Sequence, residues 1–236
     1  MSTFNFKHFS ISQSETTMKV GTDAMLLGAI VEAKDPRSIL DIGTGTGVIA
    51  LMMAQRFSEA QVVGIEIDAV ACDEASENFE NSSWNNHLSA LNEDVLEHEF
   101  NQQFDLIVSN PPYYENSLLS ENDRVSRAKH AEFLPVNQLL RKVVTLLSED
   151  GTFWVIVPFE NTQSWIETSD SNGLFLIHSI SIIGKEGQGE KRSVLAFSRN
   201  QAEPVYKKIT VRNSNNHYTK EYIELTKEFH DRDLSN

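Results

Sequence analysis

The chain has 236 residues and one cysteine, Cys72, so no disulfide can close within it and a cage of thiolates around a metal is excluded. Cys72 reads as a small buried residue of a helix. So little cysteine suits a reducing compartment. No stretch approaches the roughly 20 apolar residues that span a bilayer. The opening MSTFNFKHFSISQ lacks a basic patch followed by an apolar run, so no secretory signal is read and a cytoplasmic location is expected. The seven histidines (8, 87, 98, 130, 178, 217 and 230) show no metal-ligand spacing, and no metal is expected. Repeats and low-complexity blocks are also missing. Positive charge is scarce, with 20 Lys and Arg against 34 Asp and Glu, a formal net charge of −14. Taken alone, that argues against a nucleic-acid binder. The deficit is uneven, however. Between Gly184 and Lys220, eight Lys and Arg face three Glu. An acidic body with a basic C-terminal region could turn cations toward phosphate, or simply carry a solvated lysine-rich stretch.

What is present is a core-forming share of hydrophobic residues, 40 %, arranged as alternating strands and helices. Strands are expected at 37–43, 61–68, 88–94, 104–110 and 151–158. Helices are expected at 48–57, 69–82 and 134–147, with another at 23–33 and a short one in TKEYIELTKEF. Two further strands, 174–183 and 193–199, are joined by the Gly-rich GKEGQGEKR and have no helix between them, so they should pair antiparallel at one edge. Strands alternating with helices imply a parallel sheet covered on both faces. The reading is an α/β, Rossmann-like fold: a mostly parallel seven-stranded sheet with one antiparallel edge strand. The whole chain, 1–236, reads as one domain with a core at 37–199, an N-terminal segment at 1–36 and a C-terminal extension at 200–236. Trp84, Trp154 and Trp165 read as packing residues.

Two constellations carry chemistry. The first is Asp41-Ile42-Gly43-Thr44-Gly45-Thr46-Gly47, between a strand and a helix. Its glycines permit a tight turn and close approach of a ligand to the backbone. The spacing G-x-G-x-G is one residue shorter than the dinucleotide pattern. Asp41 sits where a pyrophosphate would not want a carboxylate. A cationic, hydroxyl-rich ligand fits better, and the sulfonium and ammonium of S-adenosylmethionine meet that description. Glu66 ends the next strand, nineteen residues after Gly47, where an acid can accept from ribose hydroxyls. Ile67 comes directly after it. Asp68 competes for that role but reads better as a helix N-cap. Asp94, after the third strand, is placed to accept from an adenine amino group or to cap its loop.

The second is Asn110-Pro111-Pro112-Tyr113 at the carboxyl end of the fourth strand, where open α/β sheets bind ligands. An aromatic amino nitrogen is a poor nucleophile because its lone pair is delocalised into the ring. The Asn110 side-chain oxygen and a carbonyl near Pro111 could grip its two hydrogens. The prolines stiffen the loop and remove competing N–H donors. Tyr113 offers a face for an extruded base. Catalysis would then rest on alignment and electrostatics, with no strong base required.

The glycine turn, Glu66, Asp94 and Asn110–Tyr113 resemble the N6-adenine and N5-glutamine branches of the class I methyltransferases. The flanks FNFKHFSISQSETTMKVGTDAMLLGA, RAKHAEF, EKRSVLAF and YTKEYIELTKEF resemble the bacterial tRNA methyltransferases that modify the adenine beside the anticodon of a valine tRNA. The similarity runs almost from end to end. It implies S-adenosylmethionine as cofactor and tRNA as partner. It also implies that the N-terminal segment helps close the cofactor pocket, which brings in Lys19, Thr22 and Asp23. Lys19 could equally be solvated, and Asp23 a helix cap. Arg127, His130, Lys191, Arg192, Lys207 and Lys208 are the candidate contacts to RNA, with a plain surface role as the alternative. Other functions stay open: a glutamine methyltransferase acting on a release factor, a module that binds without catalysis and, more distantly, a Rossmann oxidoreductase.

Overall fold

The computed structural model describes residues 2–14, 19–111 and 135–234. Pro112, Tyr113, Arg127 and His130 lie outside the described residues. The described chain forms a two-stranded hairpin, β1 (Ser2–Asn5) and β2 (Ser10–Gln13), ahead of an eight-stranded sheet. The sheet comprises β3 (Ser38–Ile42), β4 (Gln61–Glu66), β5 (Leu88–Asn92), β6 (Phe104–Ser109), β7 (Leu147–Pro158), β8 (Phe175–Lys185), β9 (Glu190–Ser198) and β10 (Val205–Arg212). Their order across it is β10-β8-β9-β7-β6-β3-β4-β5. Only β9 runs against its neighbours; every other pairing in the sheet is parallel.

Side chains alternate across these strands and feed two cores. Ile39, Val62, Leu106, Val108, Trp154 and Ile156 pack on one face with α1 (Thr22–Ile30), α2 (Val48–Arg56) and α3 (Ala69–Glu80). Leu40, Ile42, Ile65, Ile107, Phe153 and Val155 pack on the other, beneath α4 (Val136–Leu146) and α5 (Thr162–Ser171). Helix α1 is buried from Ala24 to Ile30, because it lies between the sheet, α2 and the C-terminal helix α6 (Lys220–Thr226). Cys72, Trp154 and Trp165 are buried, as the sequence implies.

The mostly parallel α/β sheet is as expected, with two corrections. Among the described residues the main sheet has eight strands, not seven. The antiparallel strand is not at the edge: β9 is flanked by β7 and β8, and β10 covers β8 from outside. The residues of β10 hide their strand character because the first half is exposed and carries Lys207 and Lys208, and only Ile209 and Val211 are buried. The hairpin β1–β2 and helix α5 are likewise silent in the sequence. Helix α5 buries only Trp165 and Ser169, too few positions to show a period.

Candidate active site

Register fixes the centre of the site. Ile42, the last residue of β3, is paired with Ile65 of β4 on one side and with Ser109 of β6 on the other. Gly43, Glu66 and Asn110 therefore leave three adjacent strands at one level. The chain order reverses at β3, since β4 and β5 lie to one side and β6 to the other. That reversal opens the crevice in which open α/β sheets place ligands. The buried Ser109 hydroxyl donates to the Ile42 carbonyl at 2.9 Å and locks the two strand ends together. Asn110 comes next, half-buried, and Pro111 is buried.

The glycine turn is held at every residue. Gly43 and Thr44 both donate their N–H to the Ile65 carbonyl, at 2.9 and 3.2 Å. Gly43, Gly45 and Gly47 all have positive φ (69°, 57° and 84°), which favours glycine at each. A Cβ at Gly43 or Gly45 would meet nothing within 4 Å, so the outer face of the turn is open. A Cβ at Gly47 would lie 2.4 Å from Phe79, because α3 packs directly on that residue.

Asp41 works from beneath. It is fully buried, and Oδ2 accepts from the Thr44 hydroxyl at 2.7 Å and the Ala50 N–H at 3.1 Å. Oδ1 is buried without a partner. Burial pushes this carboxyl up to about 7, against the two hydrogen bonds that pull it down and with a small push from Glu66. Glu66 is half-buried. Its Oε2 accepts from the Gly45 N–H at 2.9 Å and its Oε1 from the Asp68 N–H at 3.0 Å. An ionised carboxylate has about four acceptor positions, so capacity remains for a ligand. Ile67 is half exposed beside it. Asp68 caps α3, accepting from Ala71 at 2.8 Å. Asp94 Oδ1 accepts from Leu96 at 2.9 Å, so this residue does shape its own turn. Two residues of the site are not signalled by the sequence. The Asn92 amide donates to the carbonyls of Glu66 and Ile67 at 2.9 and 3.1 Å, and the Asn78 amide reaches the glycine turn. Both act on main chain remote in sequence, which no local spacing marks.

The outlying candidates are placed less centrally. Lys19 and Thr22 are exposed. Asp23 does not cap α1, whose N-cap is Gly21; its carboxylate accepts from Arg192 Nε at 2.8 Å. Arg192 pairs with Pro158 in the sheet and so stands at the same carboxyl edge as Asn110. Lys191 beside it is exposed. Lys207 and Lys208 do not form one cationic patch, because consecutive strand residues point to opposite faces. Lys207 lies 3.5 Å from Glu32 and Lys208 2.7 Å from Glu190. A groove of about 600 Å³ between Glu99–Gln103 and Lys142 lies at the amino end of β6, remote from this edge.

Known proteins match this arrangement. The model of the methyltransferase small domain matches residues 9–167. A tRNA1(Val) (adenine(37)-N6)-methyltransferase of Flavobacterium psychrophilum is 40% identical over 232 residues, covering 96% of this chain and 98% of that protein. One of the same name from Bacteroides fragilis is 38% identical over 230 residues, covering 96% and 97%. Among solved structures, a predicted O-methyltransferase from Agrobacterium tumefaciens superposes with a TM-score of 0.69 at 18% identity, over 88% of this chain and 96% of that one. A methyltransferase from Pyrococcus furiosus gives 0.59 at 21% identity, over 82% and 90%. At such identities the structures speak for the fold alone, whereas the family model and the relatives match most of the sequence. The chain belongs to the methyltransferase small-domain family, in the branch whose members carry the name tRNA1(Val) (adenine(37)-N6)-methyltransferase.

Proposed function

We propose that this protein transfers the methyl group of S-adenosylmethionine to N6 of an adenine in tRNA, adenine 37 beside the anticodon of valine tRNA. The relatives' names supply the nucleotide. The observation that carries the reaction type is the pairing of Ile42 with Ser109, which sets the glycine turn and Asn110 side by side at the switch point. In this reading the whole chain, 1–236, acts as a single domain. Among the described residues no helix is long and apolar enough to cross a membrane. A tRNA substrate puts the reaction in the cytoplasm.

The residues present fit the cofactor. The open faces of Gly43 and Gly45 admit a ligand against the backbone. The spare capacity of Glu66 offers negative charge to a ligand carrying an ammonium and a sulfonium, and such a cation would favour the ionised form of Asp41, whose Oδ1 is unpartnered beneath the turn. Glu66 would hold the ribose hydroxyls, Ile67 would cover one face of the adenine, and Asp94 would accept from its amino group. Thr44 and Gly47 hold the shape of the turn. Lys19, Thr22 and Asp23 would border the pocket. When bound, S-adenosylmethionine supplies a methyl carbon made electrophilic by its sulfonium. Asn110 Oδ1 accepts a hydrogen of the target amino group and holds its nitrogen toward that carbon. Pro111, lacking an N–H, leaves its side of the pocket to acceptors. Pro112 and Tyr113 lie outside the described residues; by residue type Pro112 would stiffen the loop and Tyr113 would offer a face for the base. The methylated nitrogen would be left with one proton too many, which would pass to solvent water, so proximity and alignment would do most of the work.

The test is methyl transfer from labelled S-adenosylmethionine to tRNA from a strain lacking the modification, with the labelled nucleoside identified. N6-methyladenosine is expected. Label on a release-factor glutamine instead would overturn the assignment. Asn110→Ala should lower kcat by about 10²–10³, the range for removing one polar group that acts on the transition state, while cofactor affinity stays within about twofold. A variant that loses binding and turnover together would put Asn110 in a different role.

A further inference from the structure

Asn78 is 3 % exposed, near the end of α3, and its side chain joins two parts of the chain that are far apart in sequence. Its Oδ1 accepts from the Ser12 N–H at 2.8 Å, and its Nδ2 donates to the Ser12 carbonyl at 3.0 Å. That two-point pairing with one residue's main chain fixes the amide's orientation, since a flipped amide would set N–H against N–H and oxygen against oxygen. The second Nδ2 hydrogen reaches the Thr46 carbonyl at 2.9 Å, inside the glycine turn. Both amide hydrogens are thereby used. The next residue, Phe79, packs on Gly47. Ser12 lies on β2 opposite Thr3 of β1, and its N–H and carbonyl both face Asn78. The hairpin thus aims the amide, and the amide holds the turn.

We infer that Asn78 is a positioning residue through which docking of the N-terminal hairpin sets the affinity of the glycine turn for S-adenosylmethionine. The inference rests on the cofactor site proposed above. Without the amide, the buried Thr46 carbonyl has lost its donor, and the turn relaxes from the shape that Asp41, Glu66 and Phe79 impose from its other sides. Without Ser12's bonds, the amide can rotate and the same donation fails, although no residue of the turn has changed.

The experiment is a double-mutant cycle read by calorimetric titration of S-adenosylmethionine into the full-length protein. Asn78→Ala should raise Kd by about tenfold, the scale of one lost buried hydrogen bond. Ser12→Pro, which removes the N–H that Oδ1 accepts from and leaves the residue-12 carbonyl in place, should raise Kd by up to the same factor. The double variant should be no weaker than Asn78→Ala, because both changes cut one linkage. At saturating cofactor, kcat and the KM for tRNA should stay within about twofold of the wild-type values, as expected when only ground-state cofactor binding is lost. Should Ser12→Pro fail to fold, Phe9→Ala takes its place in the cycle. It loosens the packing that docks the hairpin, leaves Asn78 and the glycine turn unchanged, and should by itself weaken cofactor binding but add nothing to Asn78→Ala. Variants that melt lower but keep the wild-type Kd would reduce Asn78 to a purely structural bond, and additive losses would break the proposed linkage. Either result overturns this inference and leaves the cofactor site standing. A wild-type protein that does not bind S-adenosylmethionine overturns both.

Discussion

A carboxylate at Asp41 faces a conflict that the fold does not remove. Its Oδ2 holds the glycine turn, yet its Oδ1 is buried with no donor. The carboxyl titrates at about 7 in the folded protein, against its ordinary value of 3.8. The folded state therefore binds this proton more tightly than the unfolded chain does. Its contribution to stability is complete below about pH 4, falls as the pH rises through the interval, and is gone above about 7. Asp41→Asn keeps an oxygen for Thr44 and Ala50 and removes the charge. We expect the cofactor-free variant to melt above the wild-type protein at pH 8 and to lose most of the wild-type decline between pH 5 and pH 8. Differential scanning calorimetry across that range decides it, and equal pH slopes in the two proteins would reject the account. The residues that could be read from sequence are those whose partners are close along the chain or which, like Glu66, end a recognisable strand at a set distance from the glycine turn. Asp68 caps Ala71 three residues on, and the glycine turn announces itself within five residues. Asn78 binds Ser12, 66 residues away, and nothing near Asn78 marks it.

Elements obey the same rule. Central strands such as β7 carry uninterrupted apolar runs, here residues 153–158, because both of their faces are covered, and such runs are visible. Strand β10 has an exposed first half, and only its second half is bonded on the outer side, by residues 218 and 219, so it reads as an ordinary lysine-rich stretch until β8 is there to pair with it. Its attachment depends on the helix that comes next in the chain. The Thr219 hydroxyl donates to the Thr210 carbonyl at 2.5 Å and accepts from the Tyr222 N–H at 3.1 Å, joining β10 to the first turn of α6. Arg212 lies 4.0 Å over the Tyr218 ring, which stacks on the buried Tyr222. Thr219→Ala removes the cap and the strand bond together. It should cost about 1–2 kcal/mol, the range for an N-cap threonine, and Thr219→Ser should restore most of it. Urea unfolding gives the number. If serine is no better than alanine, the hydroxyl is not what holds α6 to β10.

At the scale of the whole molecule, a net charge of −14 has to approach a polyanion. Long-range attraction is therefore weak, and binding must rest on a few cations placed where the RNA lands. The carboxyl edge supplies them: Lys185 ends β8, Lys191 and Arg192 open β9, and Arg212 ends β10 beside Lys185. Solvent screening leaves exposed ion pairs such as Lys208 with Glu190 weak, so exchanging such a carboxylate for a phosphate is nearly neutral and adds little affinity. Lys191, exposed at the rim that also carries Asn110, is the cation best placed to contribute. Each phosphate it neutralises adds about 0.7–0.9 to the slope of log affinity against log salt. Lys191→Glu should therefore flatten that slope by about one for tRNA while the cofactor Kd is unchanged. Filter binding across a range of salt concentrations, beside calorimetry with S-adenosylmethionine, measures both. An unaltered slope would move the RNA path off this hairpin and toward the β5 side of the sheet. The acidic body would then have to be crossed by the RNA, and the charge asymmetry of the chain would have no part in binding.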